Sequence, residues 1–292
     1  MQLELTAQAK INLTLKIVGK RTDGYHELET VMQAINLSDS LIFYHRDQGF
    51  ELTVEGFAPT GEDNLVCRAA RLIKEYTGVN KGCLIHLKKC IPMAAGLAGG
   101  SANAAATLQG LNKLWDLKLT DQELLNIGER LGADVPFCIM GGTALAKGKG
   151  EELTPLSSVP EMGVILIKPN FGVSTAEVFK RFADVKTKKR PDTAAMISAV
   201  GSQNVVEIAQ NLGNDLEYVT LEMHPELKKI KQQLKDAGAL GVLMSGSGPT
   251  IFGITETYQR ARKIVKTLNI TDAQVIATST VEKNQRNNYK TV

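Results

Sequence analysis

Every odd position from Leu3 to Ile17 is aliphatic: Leu3, Leu5, Ala7, Ala9, Ile11, Leu13, Leu15 and Ile17, with polar residues at nearly every even position. A period of two marks an extended strand with one buried face. Lys10 and Asn12 fall together on the opposite, open face. The turn Gly19-Lys-Arg-Thr-Asp-Gly24 follows, and Asp-Gly is a hairpin signal. Return strands are expected at Glu29–Asn36, Ser40–Tyr44 and Phe50–Glu55, so the opening region is sheet-rich.

Helical spacing then takes over. Leu65, Ala69, Leu72, Ile73 and Tyr76 lie on one stripe that Gly78 ends. A strand at Cys83–Lys88 leads into the glycine-rich run Pro92–Asn103, and an alanine-rich helix is expected from about Ser101 to Trp115. Thr120-Asp-Gln-Glu123 reads as a capping box for a helix through Leu131, and Asp134 sits near the start of a further short helix. Glu151–Pro160, rich in Pro, Ser and Glu, is the expected boundary between two halves. Beyond it come a strand at Val164–Lys168 and helices at Thr175–Phe182, Thr193–Val200, Val205–Leu212 and Pro225–Ala237. Strands at Leu240–Met244 and Thr250–Ile254 then flank Ser245-Gly-Ser-Gly-Pro249.

The 292 residues suffice for two ordinary domains or one large one, and 43% hydrophobic with 22% charged residues is an ordinary globular mix. A net charge of +3 and 5% aromatics exclude the basic, ring-rich surface of a nucleic-acid binder, while suiting an anionic small ligand. The first residues lack a basic-then-apolar leader and no window reaches membrane-spanning length, so a soluble, cytoplasmic protein with reduced thiols is expected. Cys83, His86 and Cys90 do not form a metal set, because on a strand Cys83 faces away from the other two. Lys186–Arg190 and Lys283–Lys290 read as a solvated linker and a frayed tail.

The chemistry starts at the glycine-rich run. Gly96, Gly99 and Gly100 let successive backbone N–H groups turn inward as an anion nest, and the helix that follows presents its positive end. Two readings stay open on the loop alone: a phosphate site, or small residues that permit tight helix packing. It is not a P-loop, a dinucleotide fingerprint or a nucleophile elbow, because the spacings of all three are absent. The loop contains no lysine, so a cation for a transferred phosphoryl group must come from elsewhere, and Lys10 is the leading candidate. Asp134 is an ordinary helix N-cap taken singly. Beside a phosphate loop, Asp134 can accept a hydroxyl proton and Lys10 can neutralise charge, the minimum phosphoryl transfer requires. The Ser245–Pro249 turn is a plain hairpin loop on its own, or a second glycine-rich wall of the same pocket.

Together and in this order, the three motifs resemble those of the GHMP kinase superfamily. The resemblance runs from about Leu5 to Val281. It is carried by Ala9-Lys-Ile-Asn-Leu-Thr-Leu15, by Gly19-Lys-Arg-Thr-Asp-Gly-Tyr-His-Glu-Leu28, by the loop from Pro92 and by Gly132-Ala-Asp-Val-Pro-Phe137. It implies an α+β, two-domain fold: a ribosomal-S5-like domain over residues 1–155 and a ferredoxin-like domain over 156–292, with the site in the cleft between them. It implies an ATP- and Mg2+-dependent kinase acting on a small molecule. Tyr25 and His26 point to a cytidine diphosphate-linked methylerythritol, phosphorylated at its 2-hydroxyl on the non-mevalonate route to isoprenoid precursors. Another small-alcohol kinase, or a non-catalytic ligand-binding protein of the same fold, stand as alternatives, and oligomeric state is left open.

By the same resemblance Lys10 and Asp134 would be the catalytic pair. Pro92, Met93, Ala94, Ala95, Gly96, Leu97, Ala98, Gly99, Gly100, Ser101 and Ala102 would wrap the ATP phosphates, with Ser101 touching the Mg2+-bound phosphate. Asn12 would sit beside the reacting alcohol. Tyr25, His26, Thr175 and Phe179 would form the cytidine pocket, the last two one helical turn apart. The family loop commonly has glycine where Ala98 stands and serine where Ala102 stands. Ala98 is therefore expected to avoid positive φ, and Ala102 to forgo one phosphate contact.

Overall fold

The computed structural model describes residues 2–59, 61–182 and 190–281, together with the backbone of 290 and 291. Strands β1 (Gln2–Lys20) and β2 (His26–Arg46) form the expected hairpin. β2 is one strand, not the two expected. It bows between the pairs Gln8–Ser38 and Lys10–Ala34, and in the bow Ile35 bridges to Thr280. The irregularity of pairing is confined to Ile35-Asn-Leu37, and the polar pair Ser38-Asp39 that follows stays in register with Gln8 and Ala7, so the strand does not end.

The expected Phe50–Glu55 is β3, and β4 (Gly82–Lys88) inserts between it and β2, parallel to β3 and antiparallel to β2. Helices α1 (Leu65–Thr77) and α2 (Gly99–Leu114) cover the buried odd face of this sheet, and their side chains merge with Leu3, Leu5, Ile11 and Leu13 in one apolar core. α2 approaches closely because its inner face is small. A Cβ on Gly110 would stand 2.4 Å from the ring of buried Phe43. Glycine inside a helix costs about 1 kcal/mol relative to alanine, less than displacing that ring.

α3 (Asp121–Glu129) opens with the expected capping box at Thr120 and Glu123, and α4 (Val135–Met140) follows. Within the stretch read as a boundary, β6 (Glu152–Pro155) pairs with β5 (Thr143–Lys147) in the first sheet. β6 is four residues long and mostly exposed, so it leaves no hydrophobic period to read.

The second sheet is antiparallel, in the order β11 (Ala273–Ser279), β7 (Gly163–Pro169), β10 (Ile251–Thr255), β9 (Gly241–Met244). Val164, Leu166, Leu243, Phe252 and Ile254 face the first core. Their neighbours Ile165, Ile167, Met244 and Ile251 face a second core, shared with α5 (Thr175–Phe182), α8 (Asp215–Met223), α9 (Glu226–Asp236) and α10 (Tyr258–Thr267). Burial on both faces explains the continuous apolar run of β7. α8, α10 and β11 escape the sequence reading. α10, for example, buries only Ala261 and Ile264, too thin a stripe to stand out.

α6 (Thr193–Ser202) and α7 (Val205–Gln210) lead to β8 (Gly213–Asn214), which pairs with β1, as does β12 (Lys290–Thr291). The backbone of Lys290 is thus paired and not frayed. Arg190 is likewise no solvated linker residue: its guanidinium holds the buried carboxylate of Asp215 at 2.6 Å. The rest of those two basic runs lies outside the described residues.

Candidate active site

Lys10 and Asn12 are not on an open face. They are 4% and 2% exposed, and β1 is buried on both sides from Ala9 to Leu15. The glycine-rich loop lies along one edge of β1 here, with Leu97 O accepting the Lys10 N–H at 3.2 Å, and β8 covers Thr14 and Leu15. A buried ammonium must be bonded. Lys10 Nζ donates to Asn12 Oδ1 at 2.8 Å and stands 3.5 Å from Asp134 Oδ2. Asn12 Nδ2 donates to Thr30 Oγ1 at 2.9 Å, and Thr30 Oγ1 donates to Thr14 O at 2.5 Å. Asp134 occupies the N-cap position of α4 yet makes no side-chain cap bond, which leaves its carboxylate facing Lys10 and the cleft.

The loop is built on left-handed turns. Ala94, Gly96 and Ala98 have φ of 48°, 73° and 57°. The expectation that Ala98 avoids positive φ is wrong. Its αL conformation, costing roughly 1–2 kcal/mol for a residue with Cβ, aims the chain into α2. That helix therefore starts at Gly99, ahead of the expected Ser101, with no side-chain cap at Ala98. The first N–H groups of this sixteen-residue helix have no intrahelical carbonyl and no side-chain cap, and the helix starts at the cleft. Residues Pro92 to Ser101 all line the cleft, whereas Ala102 is 2% exposed, packs in the core and does not line it.

The third motif closes on the first. Ser245 Oγ donates to Gly96 O at 2.9 Å, and Gly246 and Ser247 reach the cleft wall. Asn214 holds this turn by donating to Met244 O and Gly246 O at 2.9 and 2.8 Å. Ser247 Oγ lies 2.8 Å from Thr175 Oγ1, which ties the turn to α5.

One cleft of about 1220 Å³ takes in Lys10, Asn12, Asp134, the loop, Tyr25, His26, Thr175 and Phe179. At its far end His26 stacks on Phe179 with ring centroids 5.2 Å apart and planes 30° apart, while Tyr25 is exposed with Lys149 Nζ 5.6 Å from its ring centre. Burial, and secondarily the charge of Lys20, push the His26 pKa below its usual value. Sequence reasoning missed Thr30, Asp39, Lys89 and Asn103. The signal for Asp39 and Lys89 was present: each is a charge interrupting an apolar alternation, next to Leu41-Phe43 and Ile85-Leu87.

Among the described residues no three His, Cys, Asp or Glu side chains gather as a metal site, and no helix is long and apolar enough to cross a membrane. Burial pushes the Cys83 thiol up to about 12.

Lys10 and Asp134, 3.5 Å apart, share one cleft with the uncapped start of α2, an arrangement suited to phosphoryl transfer. The sequence profile of the GHMP kinases N terminal domain matches residues 64–142, and that of the GHMP kinases C terminal matches residues 196–273. The chain belongs to the GHMP kinase family, whose members are ATP-dependent kinases of small molecules. It is 50% identical over 282 residues to 4-diphosphocytidyl-2-C-methyl-D-erythritol kinase of Pelotomaculum thermopropionicum, covering 96% of this chain and 98% of that one. It is 49% identical over 267 residues to the enzyme of that name from Exiguobacterium sibiricum, covering 90% and 93%. A crystal structure of 4-(cytidine 5'-diphospho)-2C-methyl-D-erythritol kinase superposes with a TM-score of 0.82 at 34% identity, over 95% of this chain and 98% of that one. Within the family the chain groups with the 4-diphosphocytidyl-2-C-methyl-D-erythritol kinases.

Proposed function

We propose that this protein transfers the γ-phosphoryl group of ATP to the 2-hydroxyl of 4-diphosphocytidyl-2-C-methyl-D-erythritol, with Lys10 and Asp134 as the catalytic pair. The observation that carries this assignment is the 3.5 Å pair itself, in the same cleft as an uncapped helix start and the aromatic end formed by Tyr25, His26 and Phe179. Asp134 accepts the hydroxyl proton as the substrate oxygen forms its bond to the γ-phosphorus. The bond from that phosphorus to the β,γ-bridging oxygen breaks, and ADP leaves. Lys10, held by Asn12, supplies positive charge where the transferred group gathers negative charge.

Residues 92–101 bind the ATP phosphates through backbone N–H groups and the start of α2. Among the described residues no carboxylate cluster gathers, and Ser101, which lines the cleft at the start of α2, is the residue that would help hold Mg2+ alongside the ATP phosphates. The chemistry the ion would supply there is neutralisation of charge on the transferred phosphoryl group. Tyr25, His26, Thr175 and Phe179 receive the cytosine. A neutral His26 ring can both donate and accept toward the base edge. The reading is that of a cytoplasmic enzyme whose ligands are small molecules, with no part for nucleic acid or membrane.

The test is ADP release across a panel of alcohols. Turnover with the cytidine substrate, and none with homoserine or mevalonate, is expected. The reverse pattern would contradict the substrate assignment.

A further inference from the structure

We propose that Asp39 is a positioning residue for the phosphate loop: one buried carboxylate that ties the chain entering the loop to the chain leaving it. The proposal rests on the reading of residues 92–101 as the loop that binds ATP.

Asp39 belongs to the odd face of β2, apolar and fully buried at Leu41 and Phe43. Lys89 extends the odd face of β4 beyond Cys83, Ile85 and Leu87 in the same way. Ser40 pairs with Lys88 across the two strands, so Asp39 and Lys89 are the next opposing residues. Charges on such a face are costly unless every valence is met. Here Asp39 Oδ1 accepts the N–H groups of Cys90 and Ile91 at 2.6 and 2.8 Å, directly before Pro92. Oδ2 accepts Asn103 Nδ2 at 2.8 Å, just past the loop, and pairs with the Lys89 ammonium. Lys89 Nζ also donates to Asn103 Oδ1 at 3.0 Å.

The loop needs an external frame. Most of its residues are Ala, Gly or Ser, and three of them hold positive φ. Ser245 and Lys10 grip the middle, at Gly96 O and Leu97 O. Asp39 grips both ends at once. The knot also abuts the ligand side: a Cβ on Gly99, the first residue of α2, would lie 3.4 Å from Lys89 Nζ.

Asp39→Asn keeps the size and the two backbone bonds, but turns an amide donor toward Lys89 and Asn103. The KM for ATP and the Kd for ADP should rise roughly tenfold or more, with kcat at saturating ATP and the KM for the alcohol within about twofold of wild type. Ile264→Val, in the second core, is the stability control: it should lower Tm and leave both KM values unchanged. An ATP KM within twofold of wild type in folded Asp39→Asn overturns the proposal, as does an equal rise in both KM values. Should Asp39→Asn fail to fold, Asn103→Ser removes the two bonds from α2, to Asp39 and from Lys89, and leaves those to Cys90 and Ile91. It should raise the ATP KM several-fold with the same split, and an unchanged value again overturns the proposal. Gly96→Val separates the two readings. If it raises the ATP KM while Asp39→Asn does not, the positioning proposal alone fails; if it leaves the ATP KM unchanged, the phosphate-loop reading fails and takes the proposal with it.

Discussion

Ser245 Oγ and the carbonyl of Gly96, 149 residues apart in sequence, are joined by a 2.9 Å hydrogen bond that fastens the hairpin turn of the second sheet to the glycine-rich loop beside the first. The contact explains why residue 96 is glycine. Its φ is 73°, and a Cβ there would lie 2.2 Å from Ser245 O. Gly96→Ala combines an αL penalty of roughly 1–2 kcal/mol with a backbone clash. We predict a stability loss above about 2 kcal/mol and a raised KM for ATP. Urea unfolding and ATP kinetics check both, and a variant as stable as wild type would count against the clasp.

Thr30 is 1% exposed, reaches the cleft wall and fixes the amide of Asn12. Its hydroxyl donates to Thr14 O, so it can only accept from Asn12, and Asn12 Oδ1 is thereby turned to Lys10. Thr30→Val frees the amide to flip its donor toward the ammonium. A roughly tenfold fall in kcat with little change in the ATP KM is expected. Thr30→Ser, which keeps the hydroxyl, should recover most of the loss. Full activity of Thr30→Val would remove Thr30 from the account.

His26 gives a dependence on pH. Its folded pKa lies below the usual 6.5, chiefly through burial and then through Lys20. The stability contributed by the neutral ring is complete above 6.5 and is lost as pH falls from there through the folded value. On the proposed contact with cytosine, the KM for the cytidine substrate should rise over the same acid range while the KM for ATP stays flat. His26→Gln should flatten the substrate profile, and an unchanged profile in that variant would place the titrating group elsewhere.

Arg190 bonds Ile17 O and the carboxylate of Asp215, whose side chain is fully buried. Removing one partner of a buried pair typically costs 3–5 kcal/mol, but Arg190 is partly exposed. A loss of about 1–2 kcal/mol is expected for Arg190→Ala after discounting for solvent. Asp215 also accepts the Ile17 N–H at 2.9 Å, so the damage should stay near the β1–α8 junction. Hydrogen exchange at Ile17 reads it directly, and unchanged protection there would contradict the prediction.

Much of the site was legible because it follows from local rules. The alternation of β1 put Lys10 and Asn12 side by side, and the glycine run announced a tight loop leading into a helix. Two things needed the tertiary structure. Burial of Lys10 depends on the loop closing over β1 at Leu97 and on Asp134 at the start of α4, which no periodicity in β1 encodes. The αL turn at Ala98 is imposed by what the loop must join, overriding the preference of alanine. The broken alternation at Asp39 and Lys89 was visible, but a charge on a buried face acquires meaning only when its partners are known. α10 buries too few residues for a pattern to emerge.

The central claim is that Asp134 takes the proton from the substrate hydroxyl. It is tested most directly by a single turnover of Asp134→Asn preloaded with ATP and 4-diphosphocytidyl-2-C-methyl-D-erythritol, following the appearance of ADP. The substitution preserves shape and removes the base, so both ligands should bind while transfer slows by roughly 10²–10⁴-fold. Transfer within twofold of the wild-type rate would contradict the account.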